Sequence, residues 1–338
     1  MGGSTLFRYM LPILVLADLG LAVYLVLEGP IPVSVPLGTP MAYKNIYIHV
    51  PIAVSTYIIF LGAVASSILY LWRGVERYST LADAFVKYGI LFGAAVLVTG
   101  SAWASESWGS PWNWDPKETA VLLLFLTYLA YFPLKNSISD PERRNRIGAA
   151  YAIAAFVMVP LSYLSSRMLA ESLHPTTEAI EEFTGGGSRS ALLGVRILLM
   201  MVIGVGLSIA YARGGLGLGR LGAVLAFIIM VIGVGFTIYI AVPLASEHYR
   251  VVDAVINDDG YIESITLSNG ESINFTKPLE PPLEPAVTRD GVSTLIGHII
   301  AINNNSIRIL YHWSTAFDFL VYTILLSVGI YLAGRGGG

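Results

Sequence analysis

The chain has 338 residues, of which 55% are hydrophobic and 13% charged; its net charge is −3 and its mean hydropathy +0.67. The charged share is about half that of a soluble globular domain, which argues against a soluble fold. Cysteine is absent, which excludes disulfides, thiolate metal sites and thioether attachment of a prosthetic group, and leaves histidine, methionine or carboxylate for any metal.

Apolar runs of about 20 residues, the length that crosses a bilayer, recur along the chain. They fall at 7–27, 48–72, 85–104, 118–134, 147–168, 192–212, 221–245 and 313–332. The expected fold is therefore an all-α polytopic membrane protein with about eight transmembrane helices. The first run lacks a small-residue cleavage site, so it reads as a span and not as a cleaved signal. Basic residues mark one side: Arg73 and Arg77 after the second run, Lys135, Arg143, Arg144 and Arg146 after the fourth, and Arg213 and Arg220 after the sixth. With Arg8 and Arg335 flanking the termini, the positive-inside rule predicts that these segments and both termini are cytoplasmic.

The loops expected on the other side are 28–47, 105–117, 169–191 and 246–312. The third is acidic, with Glu171, Glu178, Glu181 and Glu182 ahead of a triple glycine. In the fourth, apolar and polar residues alternate between DDG, SNG and NNN turns, which predicts a small antiparallel β unit of three to five strands. The Pro-rich PLEPPLEP inside it reads as a stiff surface loop.

All five histidines, His49, His174, His248, His298 and His312, fall on this outer side. For His248, His298 and His312 an ordinary loop or interface position explains that. His49, in YKNIYIHVPIA, lies where the second span begins, with Pro51 read as a first-turn residue. There the helix dipole disfavours imidazolium and keeps a nitrogen lone pair available, as an iron ligand requires. His174, after the fifth span, lies at the same depth on the same side. Tryptophan adds to this: four of the six, Trp103, Trp108, Trp112 and Trp114, fall within twelve positions. An interfacial belt spreads its aromatics over all the spans, whereas these sit together. In the same loop, Asp115-Pro116-Lys117-Glu118 has the form of a capping box, so Asp115 and Glu118 read as helix starters.

YKNIYIHVP, VTGSAW and WGSPWNWDPKET, taken together and in register, resemble the haem-handling membrane proteins of cytochrome c maturation that share a tryptophan-rich WWD domain. The CcmC branch is the most similar, and Leu173-His174 matches its Leu-His pair after the fifth helix. The WDPKET tail looks more like the CcsA branch. Lysine stands at 44 and 117 where CcmC typically has arginine, which weakens a bidentate grip on carboxylate. Pro111 replaces one tryptophan of the family's WW pair.

The resemblance implies that His49 and His174 are axial ligands of a non-covalently or transiently held haem b. It implies a stacking platform of Trp103, Trp108, Trp112 and Trp114, with Lys44 and Lys117 pairing with the propionates and no catalytic residue. Since no histidine lies inside a span, a haem conduit through the bilayer of the CcsA or CcmF kind is not expected. The implied role is delivery of haem to a haem chaperone or to apocytochrome c, with an ABC transporter complex as a possible associate, in a prokaryotic cell membrane. No nucleic-acid partner is expected. Two other readings stay open: a complete cytochrome c synthase, and a membrane electron-transfer subunit with permanent haem. The division expected is a six-helix core over 1–212 with the tryptophan loop at 103–119, a seventh helix within 213–245, the β unit at 246–312, and an eighth helix and tail at 313–338. A fused docking surface, or a haem-contacting role for His298 or His312, would account for the C-terminal part.

Overall fold

The computed structural model describes residues 2–29, 40–168, 172–174, 188–241, 247–256, 262–279, 287–289, 292–294, 299–303, 306–309 and 313–335. Helix α1 spans Gly2–Glu28, and a 3₁₀ turn at Pro40–Asn45 leads into α2, Ile46–Arg73, and then α3, Glu76–Trp108. Proline divides the next two spans. The rings of Pro133 and Pro160 collide with the carbonyl four residues earlier, at Leu129 and Phe156. The helix accordingly ends and restarts at both places: α4 is Pro116–Leu129 and α5 Tyr131–Asn136; α6 is Pro141–Ala155 and α7 Met158–Met168. Then come α8, Ser188–Ala212, α9, Arg220–Ala241, and α10, Trp313–Arg335. Counting α4–α5 and α6–α7 as one span each, eight helical segments of the described residues are long and apolar enough to cross a membrane. The chain is a multi-pass membrane protein.

Successive spans run in opposite directions, so the start of α2, the end of α3, the start of α4 and the end of α7 lie at one end of the bundle. Arg73, Arg77, Lys135, Arg143 and Arg213 belong to the other. The shared core includes Phe60 stacked on Tyr128, with ring centroids 3.7 Å apart. Helix α10 is an integral part of the bundle: it packs on α9, α3 and α8, and approaches α9 closely because Gly233 has no Cβ, which would stand 2.3 Å from Thr323 Oγ1.

Three helices also meet through charge. Asp18 of α1 and Arg196 of α8 are fully buried, with Arg196 Nε 3.4 Å from Asp18 Oδ1. Tyr322 of α10 donates its hydroxyl to Asp18 Oδ2 at 2.5 Å, and the Arg196 guanidinium carbon lies 4.6 Å from its ring. The sequence signal for this cluster is an ionisable residue inside an apolar run, which is costly in hydrocarbon unless partnered. Near the start of α10, Asn45 Nδ2 donates to Ser314 Oγ at 2.8 Å, tying that helix to the 3₁₀ turn.

The extramembrane unit contains more strands than the sequence suggested. Strands β1 (Glu247–Ile256), β2 (Ile262–Leu267), β3 (Ser272–Leu279), β6 (Ile299–Asn303) and β7 (Ser306–Ile309) form an antiparallel sheet in the order β3-β2-β1-β6-β7. A separate hairpin joins β4 (Val287–Arg289) and β5 (Val292–Thr294). Strands of three residues are too short to show an alternation pattern, which is why they were missed. Most of PLEPPLEP lies outside the described residues, and its first two residues end β3.

Candidate functional site

His49 is the fourth residue of α2, because the helix starts at Ile46 and not at 48. Pro51 therefore sits in the second turn, inside the helix, and the dipole effect expected at 49 is weaker than for a first-turn residue. A neighbour sets the tautomer instead. His49 Nδ1 lies 2.8 Å from Thr99 Oγ1, and Thr99 spends its single hydroxyl proton on the carbonyl of Ala95 at 2.8 Å. Thr99 can then only accept, so Nδ1 carries the hydrogen and Nε2 keeps its lone pair. Gly100 completes the cradle: a Cβ there would stand 3.1 Å from His49 Cε1. The Trp103 ring meets the imidazole edge-on at 5.8 Å. The VTGSAW segment is thus the seat of the His49 ring.

His174 is held from the tryptophan loop. Asp115 caps α4, accepting from the Lys117 N–H at 2.7 Å, and the capping box closes through Glu118. Glu118 Oε2 accepts from the N–H groups of both Asn113 and Asp115, at 2.9 and 3.2 Å. Trp114 between them has φ 56°, the one positive φ on a non-glycine among the described residues. Such a backbone costs about 1–3 kcal/mol, and it turns the amides on either side toward one carboxylate. Asp115 does more than start the helix. Its buried carboxylate also accepts from Leu173 N–H at 2.6 Å, Ser172 Oγ at 3.2 Å and His174 Nδ1 at 2.9 Å. Burial alone would push its pKa up, but the hydrogen bonds from His174, Leu173 and Lys117 outweigh it and hold the carboxyl well below the usual carboxylate range. Asp115 thus stays ionised as pH falls through that range, and its share of the loop's stability is lost only below it. With Nδ1–H donated to the carboxylate, His174 also presents Nε2.

Two adjoining cavities flank this pair. His49, His174, Ala53, Tyr57, Gly100 and Lys117 line both, so they are lobes of one cleft. The larger lobe carries Trp103 and Trp108, whose ring lies 5.0 Å from that of His174. The smaller is walled by Phe60, Leu124 and Phe125, with Trp112 at its edge. Trp114 lines neither lobe; it is 71% exposed and touches Trp112 edge-on at 5.8 Å. Lys44 also lines neither. It is buried, with Nζ donating to the carbonyls of Gly29 at 2.6 Å and Leu27 at 3.3 Å, so it caps the C-terminal end of α1. The side chain of His248, and His298 and His312 altogether, lie outside the described residues. Sequence reasoning did not find Asp115 as the partner of His174, nor Thr99 as that of His49. It also passed over Arg167 and Tyr163, which line the larger lobe.

The cleft combines two imidazole lone pairs, flat aromatic walls and two cations. Trp103 Nε1 and Ser107 Oγ, both residues of the larger lobe, are buried without a hydrogen-bond partner among the described residues. These features fit a flat, amphiphilic metalloporphyrin held by two nitrogens. Asp115→Asn keeps the shape but not the charge behind His174. It is expected to lower affinity for such a ligand about 10–100-fold, as loss of a partner behind a metal ligand does. Asp115→Ala also removes the helix cap, for about 1 kcal/mol of stability. Spectroscopic titration and thermal melting of both variants check this.

Residues 4–174 match the protein family described as Cytochrome C assembly protein. Among similar curated proteins, heme exporter protein C of Rhodobacter capsulatus is 30% identical over 143 residues, 42% of this chain and 58% of that protein. Heme exporter protein C of Bradyrhizobium diazoefficiens is 31% identical over 164 residues, 47% and 59% of the two chains. Cytochrome c biogenesis protein CcsA of Synechococcus is 34% identical over 99 residues, 29% and 32%. The chain thus spans less than two thirds of the length of these relatives.

Proposed function

Because the chain belongs to the Cytochrome C assembly protein family, we propose that it binds haem b between His49 and His174 on the extracytoplasmic face and hands it on during cytochrome c maturation. One observation carries the reading: two imidazoles, each with Nδ1 already committed, line the same cleft. The names of the relatives, heme exporter protein C and a cytochrome c biogenesis protein, agree with it. The basic residues gathered at the opposite end of the bundle support an orientation with that end and both termini in the cytoplasm.

Trp103, Trp108 and Trp112 supply the apolar walls, Lys117 a propionate partner, and Asp115 and Thr99 hold the two imidazoles in the ligating tautomer. The receiver is a haem chaperone or apocytochrome c, with the 246–312 unit as its docking surface and an ABC transporter complex as associate. Every cleft residue lies in the 1–212 core, and the seventh and eighth helices brace it. A delivery protein must release what it holds, and His174 is the ligand placed to let go, since it sits outside the helices.

The competing reading is an electron-transfer subunit with permanent haem. Loaded protein mixed with excess apo-globin is expected to lose its Soret absorbance to the globin. Retention of haem under those conditions would favour the permanent cofactor. Attachment of haem to a CxxCH peptide without a partner would favour a complete synthase.

A further inference from the structure

Four fully buried polar side chains, Asn45, Ser314, Thr315 and Asp318, meet where the 3₁₀ turn abuts the first two turns of α10. Asn45 Nδ2 donates to Ser314 Oγ at 2.8 Å, joining segments 269 residues apart. Asp318 stands four residues after Ser314 and three after Thr315, so its carboxylate has both as neighbours on the helix surface. Asn45 Oδ1, Thr315 Oγ1 and both oxygens of Asp318 have no hydrogen-bond partner among the described residues. The nearby cations are directed elsewhere: Arg196 of α8 faces Asp18, and Lys44 donates to the carbonyls of Gly29 and Leu27.

A carboxylate held in an apolar bundle with neither a cation nor a donor is costly, and an ionisable residue inside a span marks a candidate site. Every orphaned atom in the group is an oxygen, and Asn45 Oδ1 and an ionised Asp318 can only accept. Whatever completes the set must therefore bring positive charge. One carboxylate, one amide oxygen and two hydroxyls are the ligand types of a hard cation. A single carboxylate balances one positive charge, whereas a divalent ion would leave surplus charge buried. We infer that Asp318, Asn45, Ser314 and Thr315 form a buried binding site for an alkali-metal cation. None of the four lines the haem cleft. Held there, the cation fastens α10 to the turn that leads into α2, one helical turn ahead of His49.

A ligand that binds only the folded chain raises its melting temperature as its concentration rises. The full chain in detergent is melted in sodium chloride and in potassium chloride, each exchanged for choline chloride at constant ionic strength. Wild type is expected to melt higher in sodium or potassium than in choline, by a margin that grows with the logarithm of the cation concentration. Asp318→Asn keeps the size of the side chain and removes its charge, so it should melt alike in all three salts. Thr315→Val removes one oxygen and should move the onset of the rise to about tenfold higher concentration. The inference is overturned if wild type melts alike in all three salts, in which case a proton and not a metal cation neutralises Asp318. It is also overturned if Asp318→Asn keeps the wild-type response. Should Asp318→Asn fail to fold, Thr315→Val decides, and an onset unchanged from wild type overturns the inference.

Discussion

His49→Ala and His174→Ala are each expected to convert a six-coordinate bis-imidazole haem spectrum to a five-coordinate one. Affinity should fall by a factor on the order of 100 or more, since even the partners behind a metal ligand are worth about 10–100-fold. The two variants should differ in how they respond to added imidazole. The His174 side chain is 26% exposed and reaches the cleft from a loop, so free imidazole should enter the vacated place and restore the six-coordinate spectrum. His49 is enclosed by Thr99, Gly100 and Trp103, so rescue of His49→Ala should be weaker. Absorption spectra of purified wild type and both variants, with and without imidazole, read this directly. Unchanged spectra in both variants would end the ligand assignment, and an equal loss in His298→Ala would move attention to the 246–312 unit.

The second large effect concerns stability. Asp18→Ala leaves Arg196 buried without its carboxylate partner, for a loss of about 3–5 kcal/mol. The double variant Asp18→Leu/Arg196→Met removes both charges and fills the space with apolar atoms, and such replacements are often neutral or stabilising. The expected order of melting temperature in detergent is therefore wild type close to the double variant, and both well above Asp18→Ala. Tyr322→Phe, which removes only the hydroxyl on Asp18, should fall between, at about 1.5–3 kcal/mol for a hydrogen bond to a charged group. If the double variant were as unstable as the single one, burial of an unpaired charge would not be the cause.

Much of this architecture is written locally and was legible. The eight spans follow from runs of apolar residues, and the α4 start follows from Asp115, Pro116 and Glu118, whose capping box forms as its spacing implies. What escaped is long-range. Asp115 and His174 are 59 residues apart, and nothing in either segment announces that one carboxylate serves both a helix end and an imidazole. Lys44 looked like a ligand partner because of its place in a motif, yet the carbonyls that take it are at the end of α1 and just past it, 17 and 15 residues earlier. Trp114 belongs to the tryptophan cluster by sequence, but its positive φ turns the indole outward. The helix breaks at Pro133 and Pro160 could not be placed from the proline alone, because Pro12 and Pro51 bring the same local collision and lie inside unbroken α1 and α2.

The bond from Tyr322 to Asp18 spans 304 residues, so synthesis of all the intervening chain separates the two partners. A nascent product stalled between α8 and α10 carries an acid and a guanidinium into the bilayer without the phenol that completes their set, and with one flank of the bundle bare. Unfinished copies thus differ chemically from finished ones within the membrane plane.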